Sequence, residues 1–244
     1  MSRLIILGAT GNLGSHVLSQ ALASGHECTV VVRDRSKLAK IEGATITTHQ
    51  GDLNELSIDE VAKFIEKHDA LICCAGHAEK SGDFINLFDK VVSAVESLPS
   101  QSQPSCWFLA GAALLDIGST GTRGLDLPVV RKKYWPHSAN YERLRNSGID
   151  WRLLCPGPLV EQPMIGLSRI RVSIEELPVR LASISKLLPK LLLLPFFMHI
   201  IPAITVPYAD AAALMLANLD RKSKMKGCRI GLALPEGMRL YKQA

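Results

Sequence analysis

The chain is predicted to be an α/β protein built on a doubly wound parallel sheet, with a small Pro-rich lobe toward its C-terminus. Two observations carry this. Short, β-branched apolar runs alternate with helical patterns from residue 3 to residue 155. The first run, Leu4-Ile5-Ile6-Leu7, leads straight into three glycines spaced G-x-x-G-x-x-G, at Gly8, Gly11 and Gly14. Alternation of this kind needs crossover connections, which make neighbouring strands parallel and leave helices on both faces.

The elements follow in order. Residues 3–7 make the first strand and 12–24 a helix stopped by Gly25. Residues 27–33 and 44–50 make the second and third strands, the third closed by Gly51-Asp52. A helix over 59–67 gathers Val61, Phe64 and Ile65 on one side, and a fourth strand over 70–74 ends at Ala75-Gly76. A long amphipathic helix spans 82–98, and a fifth strand 105–109. A helix over 137–146 is started by Pro136 in its first turn, where a missing N–H costs nothing. The sixth strand, 151–155, is closed by Pro156-Gly157-Pro158. Residues 159–203 are then interrupted by Pro163, Pro178, Pro189, Pro195 and Pro202. The pattern returns as a helix over 208–219, with Ala212, Leu216 and Leu219 inward, and a strand over 228–234. No repeat or flexible linker divides the chain, so residues 1–244 are expected to form a single domain with 159–205 as an embedded lobe.

Composition narrows the function. The chain is 47% hydrophobic and 5% aromatic, which suits an aliphatic buried sheet. A net charge of +5 without a basic stripe interleaved with aromatics argues against nucleic acid. The six cysteines form no C-x-x-C pair and no His/Cys cluster with ligand spacing, so free thiols in a reducing, cytoplasmic setting are expected and a metal site is not. The first strand starts almost at residue 1, so no leader is expected. The apolar stretch 187–204 carries interior prolines, Lys190 and His199, whereas a membrane-spanning helix needs roughly 20 unbroken apolar residues. It reads as an apolar lobe packed over a cleft, or as a contact for a second copy or another protein.

The glycine motif points to a ligand. Strand, tight turn and helix start present unpaired N–H groups and a partial positive charge, which suit a pyrophosphate. Gly8 allows the turn, Gly11 lets the backbone approach phosphates and Gly14 lets the helix sit close to the strand. The backbone of Thr10, Gly11, Asn12 and Leu13 is then the grip on a dinucleotide. The second strand ends Val32-Arg33-Asp34-Arg35-Ser36-Lys37, with Arg33 19 residues after Gly14. Arg33, helped by Ser36 and Lys37, would accept the 2′-phosphate of NADP(H). The alternative is that Asp34 holds the 2′-hydroxyl of NAD, with Arg33 and Lys37 as surface charge. Asp52 is either an acceptor for an adenine amino group or a turn residue capping the next segment. Ala75 and Gly76 supply small residues where a nucleoside would need close approach.

These segments resemble the atypical short-chain dehydrogenase/reductase proteins, in particular the NmrA-like and flavin-reductase-like NAD(P)H-binding branch. The resemblance rests on residues 8–14, 32–34, Gly51-Asp52-Leu53, Ala75-Gly76, 144–151, 154–157 and 206–210, and it is thin over 161–203. It implies a Rossmann fold, a nicotinamide cofactor, and adenine contact at Asp52 and Leu53. It also implies a catalytic Ser after the fifth strand and a Tyr-x-x-x-Lys helix, in which Lys lowers the Tyr pKa for proton transfer. Here the fifth strand runs on into Ala110-Gly111-Ala112, and Tyr134 is followed by Ser138 where Lys is expected. Tyr134 and His137 are therefore the candidate proton donors, His137 as a neutral imidazole held so by a helix N-terminus. The expected activity is hydride transfer from NADPH to a small planar acceptor such as a quinone, flavin or enone. The alternative is a non-catalytic NADP(H) sensor that binds a protein partner.

Overall fold

Eight strands build the central sheet of the computed structural model, which describes residues 1–38, 46–76, 81–118, 121–179 and 190–241. In chain order the elements are β1 (Arg3–Leu7), α1 (Asn12–Ala23), β2 (Glu27–Val32), β3 (Ile46–Gln50), α2 (Ile58–Ile65), β4 (Ala70–Cys73), α3 (Ser81–Glu96) and β5 (Ser105–Leu109). Then come α4 (Pro128–Arg145), β6 (Trp151–Leu154), β7 (Leu159–Val160), β8 (Arg171–Ile174), α5 (Lys190–Ile204), β9 (Val206–Pro207), α6 (Tyr208–Ala217) and β10 (Arg229–Ala233). The strand order is β3-β2-β1-β4-β5-β6-β10-β8. All pairs are parallel except β10–β8, and β7 and β9 form a separate two-stranded pair. The doubly wound sheet is thus present, with one antiparallel edge strand drawn from the Pro-rich region.

Strand pleat divides the core in two. Leu4 and Ile6 point into one cluster with α1 and α6, while Ile5 and Leu7 point into the other with α2, α3 and α4. That is why β1 is apolar from Leu4 to Leu7: both faces are covered there. The order reverses at β1, with β2 on one side and β4 on the other, and a crevice opens beyond the carboxyl ends of strands at such a switch.

Four elements depart from the expected boundaries. Helix α2 starts at Ile58 because Ser57 and Glu60 form a reciprocal capping box: the Glu60 N–H donates to Ser57 Oγ at 3.2 Å and the Ser57 N–H to Glu60 Oε2 at 2.8 Å. Helix α4 starts nine residues early, with Pro128 in its first turn, and Pro136 lies inside it. Both prolines carry the same local start signal, and packing of Val130 and Tyr134 on the core selects the earlier one. The apolar stretch 187–204 forms, over its described part, one helix that runs through Pro195 and Pro202. Phe197, Ile200 and Ile204 are buried in the main core, while Met198 and His199 face solvent. In α6 the inward residues are Ala211, Ala212, Leu214 and Met215, with Leu216 and Leu219 only partly buried. The start of the third strand at 44–45 and residues 187–189 lie outside the described residues. Among the described residues no helix is long and apolar enough to cross a membrane.

A buried carboxylate ties the Pro-rich region to α6, and a partly buried ion cluster ties it to β10. Asp210 is fully buried and accepts from the Ile165 and Gly166 N–H groups at 2.9 and 2.7 Å. Arg229 donates to Glu175 Oε2 at 2.6 Å, to Asp116 Oδ2 at 3.2 Å and to the Leu114 carbonyl, and its guanidinium lies 5.0 Å from the Tyr141 ring centroid.

Candidate functional site

A cleft of about 470 Å³ lies at the carboxyl ends of β1, β2 and β4. It is lined by Gly8, Thr10 and Gly11, by Val31, Val32, Arg33 and Lys37, by Gly51, Asp52, Leu53 and Asn54, by Cys74, Ala75 and Gly76, and by Asp83, Phe84 and Leu87. Nine of the residues expected at a dinucleotide site therefore meet on one wall system: Gly8, Thr10, Gly11, Arg33, Lys37, Asp52, Leu53, Ala75 and Gly76.

The glycine turn is built by close approach. Gly8 has φ +78°, and a Cβ on it would stand 2.7 Å from the Ala75 nitrogen. A Cβ on Gly14 would stand 2.1 Å from the Gly8 carbonyl oxygen. Gly14 thus seats α1 on the turn and does not line the cleft. Leu13 is core, and the Asn12 side chain donates to the Tyr208 hydroxyl at 3.2 Å, so these two residues can reach a ligand through the backbone alone. Gly11 occupies the N-cap of α1, with no side-chain cap and no acidic residue in the first turn. The orphan N–H groups of that turn are open to an anion from outside.

Arg33 and Asp52 face each other across the cleft, Nη1 to Oδ2 at 4.0 Å. Asp34 does not line the cleft. Its Oδ1 accepts from the Ser36 N–H at 2.9 Å and from the Ser36 hydroxyl at 2.7 Å, which holds its carboxyl below the usual carboxylate range. Ser36 is occupied by that turn and sits off the cleft wall. Asp52 is itself a turn residue, its Oδ1 accepting from the Asn54 N–H at 2.9 Å, and it also lines the cleft. Its two alternatives are not exclusive, because a carboxylate has two oxygens.

Tyr134 and His137 lie on α4, behind this wall. His137 is the tenth residue of its helix, not the first turn, and is 8% exposed. Burial, not a helix dipole, pushes its pKa down to about 4. Its ring packs edge-on to Phe84 at 5.5 Å and stacks on Tyr134 at 6.2 Å. A Cβ on Gly111, just past β5, would sit 3.6 Å from the imidazole Cδ2 and Nε2. The imidazole Nδ1 and the Asn140 side-chain nitrogen are buried without a hydrogen-bond partner among the described residues. Lys133 lies over the Tyr134 ring, 5.6 Å from its centroid. Phe84 thus separates His137 from the cleft, and neither Tyr134 nor His137 lines it.

Phe84 and Leu87 escape sequence reasoning because they look like the inward stripe of an amphipathic helix. They line the cleft because α3 starts just beyond β4, where a Cβ on Gly76 would press within 2.6 Å of the Phe84 ring. Cys74 lines the cleft but burial pushes its thiol far up. Cys28, Cys73, Cys106 and Cys155 are buried, and all six cysteines are free thiols. Among the described residues no three His, Cys, Asp or Glu side chains gather as a metal site.

The family profile described as NAD(P)H-binding matches residues 8–187, which include the whole cleft. The chain is 28% identical over 159 residues to YwnB of Bacillus subtilis, spanning 62% of this chain and 70% of that protein. Among solved structures it is similar to a Streptococcus pneumoniae protein described as a candidate NADH-flavin reductase, with TM-score 0.68, 20% identity, and 96% and 100% of the two chains covered. It is also similar to a candidate epimerase from Bacteroides thetaiotaomicron, with TM-score 0.72, 22% identity, and 97% and 99% covered. Similarity at these identities speaks for a shared Rossmann fold, which hosts more than one chemistry.

Proposed function

Because the chain belongs to the NAD(P)H-binding family, we propose that it is an oxidoreductase that uses NADPH to reduce a small planar acceptor such as a quinone, flavin or enone. The observation that carries the cofactor choice is the division of labour after β2: Arg33 and Lys37 line the cleft, while Asp34 is spent on Ser36. A cation pair suits a 2′-phosphate, and Asp34, which does not line the cleft, is poorly placed to accept from a 2′-hydroxyl. The open N-terminus of α1 takes the pyrophosphate. Asp52 accepts from the adenine amino group, with Leu53 beside it.

The bound nicotinamide supplies the hydride, and the protein supplies orientation and a dry wall. Phe84, Leu87 and Gly76 supply apolar wall to the cleft. The His137 ring is neutral at pH 7 and lies behind Phe84, so this role requires Phe84 to turn aside, and the ring then offers a neutral N–H to the acceptor oxygen. Tyr134 stacks beside it as the second donor. Acceptors of this class also take a proton from water, which is why the missing Tyr-x-x-x-Lys set does not forbid turnover. The description of the Streptococcus pneumoniae protein as a candidate NADH-flavin reductase supports including flavins.

A second reading has its own observation: with Phe84 between His137 and the cleft, the chain would be a dinucleotide sensor. The test mixes protein and NADPH with a panel of quinones and flavins and follows absorbance of the reduced nicotinamide. Turnover above background is expected. Tight NADPH binding with no member of the panel reduced favours the sensor.

A further inference from the structure

The turn after β3 exposes more carbonyls than it can satisfy itself, and one side chain answers three of them. Lys90, on α3, donates from Nζ to the carbonyls of Leu53, Asn54 and Leu56 at 2.9, 2.7 and 2.6 Å. An ammonium has three N–H donors and no acceptor, so Lys90 spends its full capacity on this one turn. Bonds from a charged donor are the stronger kind. Lys90 is half-buried, and it is not on the cleft wall.

The consequence lies on the other side of the turn. With three carbonyls drawn toward α3, the groups this turn leaves for the cleft are the Asp52 carboxylate, the Leu53 N–H and the Asn54 side chain, whose amide donates to Asp52 Oδ1. Asp52 Oδ1 is taken by Asn54, while among the described residues Oδ2 has only Arg33 Nη1 at 4.0 Å. The Leu53 N–H takes no partner among the described residues. An acceptor and a donor therefore sit on consecutive residues that both line the cleft. Adenine presents a matching edge, the 6-amino group donating and N1 accepting. Hypoxanthine inverts both, with a 6-oxo acceptor and an N1–H donor. The inverted base would set oxygen against carboxylate and N–H against N–H, and a site of fixed polar groups rejects such an analogue strongly.

We propose that Lys90 is a positioning residue that sets the base selectivity of the cleft, holding the Asp52-Leu53 pair in the arrangement that accepts a 6-aminopurine and refuses a 6-oxopurine. This rests on the cofactor reading above and adds a residue that does not touch the ligand. Loss of the ammonium would free three carbonyls to turn back toward the cleft and blur the donor–acceptor pattern.

The experiment measures Kd for NADPH, for its reduced hypoxanthine analogue and for reduced nicotinamide mononucleotide, which has no purine. The proteins are wild type, Lys90→Met and Lys90→Arg. Wild type should prefer the adenine form by about tenfold or more, the worth of roughly one such mismatched pair. Lys90→Met should weaken NADPH binding about tenfold and reduce the preference to within about threefold. Its affinity for the mononucleotide should not change, a readout that general damage to the fold would move. Lys90→Arg should fall between, since a planar fork keeps the charge but cannot converge on three carbonyls; it also carries the test if Lys90→Met fails to fold. Unchanged adenine preference in both variants, no preference in wild type, or equal losses for all three ligands would each overturn the proposal. Wild type that binds none of the three refutes the cofactor reading itself, and this inference with it.

Discussion

Replacing Arg33 with alanine isolates the group held responsible for choosing between the two dinucleotides. The Arg33 side chain is 75% exposed and among the described residues it pairs with Asp52, 4.0 Å away. Its removal therefore opens no cavity and leaves no buried charge, and the fold should not notice. What is lost is a charge-assisted contact to a 2′-phosphate, worth about 1.5–3 kcal/mol when well formed. Exposure and salt screening put this one at the low end, about 1.5 kcal/mol, or roughly tenfold in Kd. Lys37 remains on the cleft wall, so binding of NADPH is weakened and not abolished. NADH lacks the phosphate, and its affinity should stay within about twofold or improve as Asp52 is freed of a competing cation. Isothermal titration of both cofactors into both proteins reads the whole prediction. If native protein binds NADH and NADPH equally, or if the substitution weakens both alike, then Arg33 does not read the phosphate and the preference argued from the β2 end is wrong.

Three further outcomes follow from particular contacts. Gly14→Ala places a methyl 2.1 Å from the Gly8 carbonyl oxygen, which is backbone and cannot swing away; a loss of about 3 kcal/mol in denaturant unfolding is expected, together with loss of NADPH binding, and a variant of native stability would deny the close packing of α1 on the turn. His137 has a folded pKa of about 4 against an ordinary 6.5, so the unfolded chain takes a proton that the folded one refuses. Stability from this group is complete above pH 6.5 and falls by about 3 kcal/mol as pH drops toward 4; a His137→Gln variant should show a shallower acid limb in urea titrations across that window, and parallel limbs would place the ring in water. Arg229→Met removes bonds to Glu175, Asp116 and Leu114 and leaves two carboxylates that are partly solvated, costing about 2–3 kcal/mol and lowering the melting temperature by roughly 5–10 °C; an unchanged melting temperature would mean that this cluster does not hold β8 to β10.

Legibility follows the range of the physics. The glycine turn could be read because strand, turn and helix start are consecutive residues, so Gly8, Gly11 and Gly14 declare their geometry within seven positions. The ends of β2, β3 and β4 could be placed because parallel strands of one sheet deliver their carboxyl ends to one crevice, and Arg33, Asp52 and Gly76 line one cleft there. The start of α4 could not be read, because Pro128 and Pro136 carry the same local signal and the choice belongs to a core assembled from distant strands. The expected neutral state of His137 was right in direction and wrong in cause for the same reason: burial is a property of the neighbours, Phe84 and Tyr134 among them, and not of helix position.

Residue order alone determined the sheet type, the β1–α1 turn and the residue types available for a dinucleotide. All of these are set by hydrophobic period and backbone freedom over a few positions. Only the tertiary structure decided which charges serve the cleft and which serve the fold. Arg33 and Lys37 reach it while Asp34 closes its own turn, and Lys90 reaches across from α3 to three carbonyls of another loop. A charged side chain is a long, rotatable donor or acceptor whose partner is whatever folding brings near, and no local pattern records that meeting.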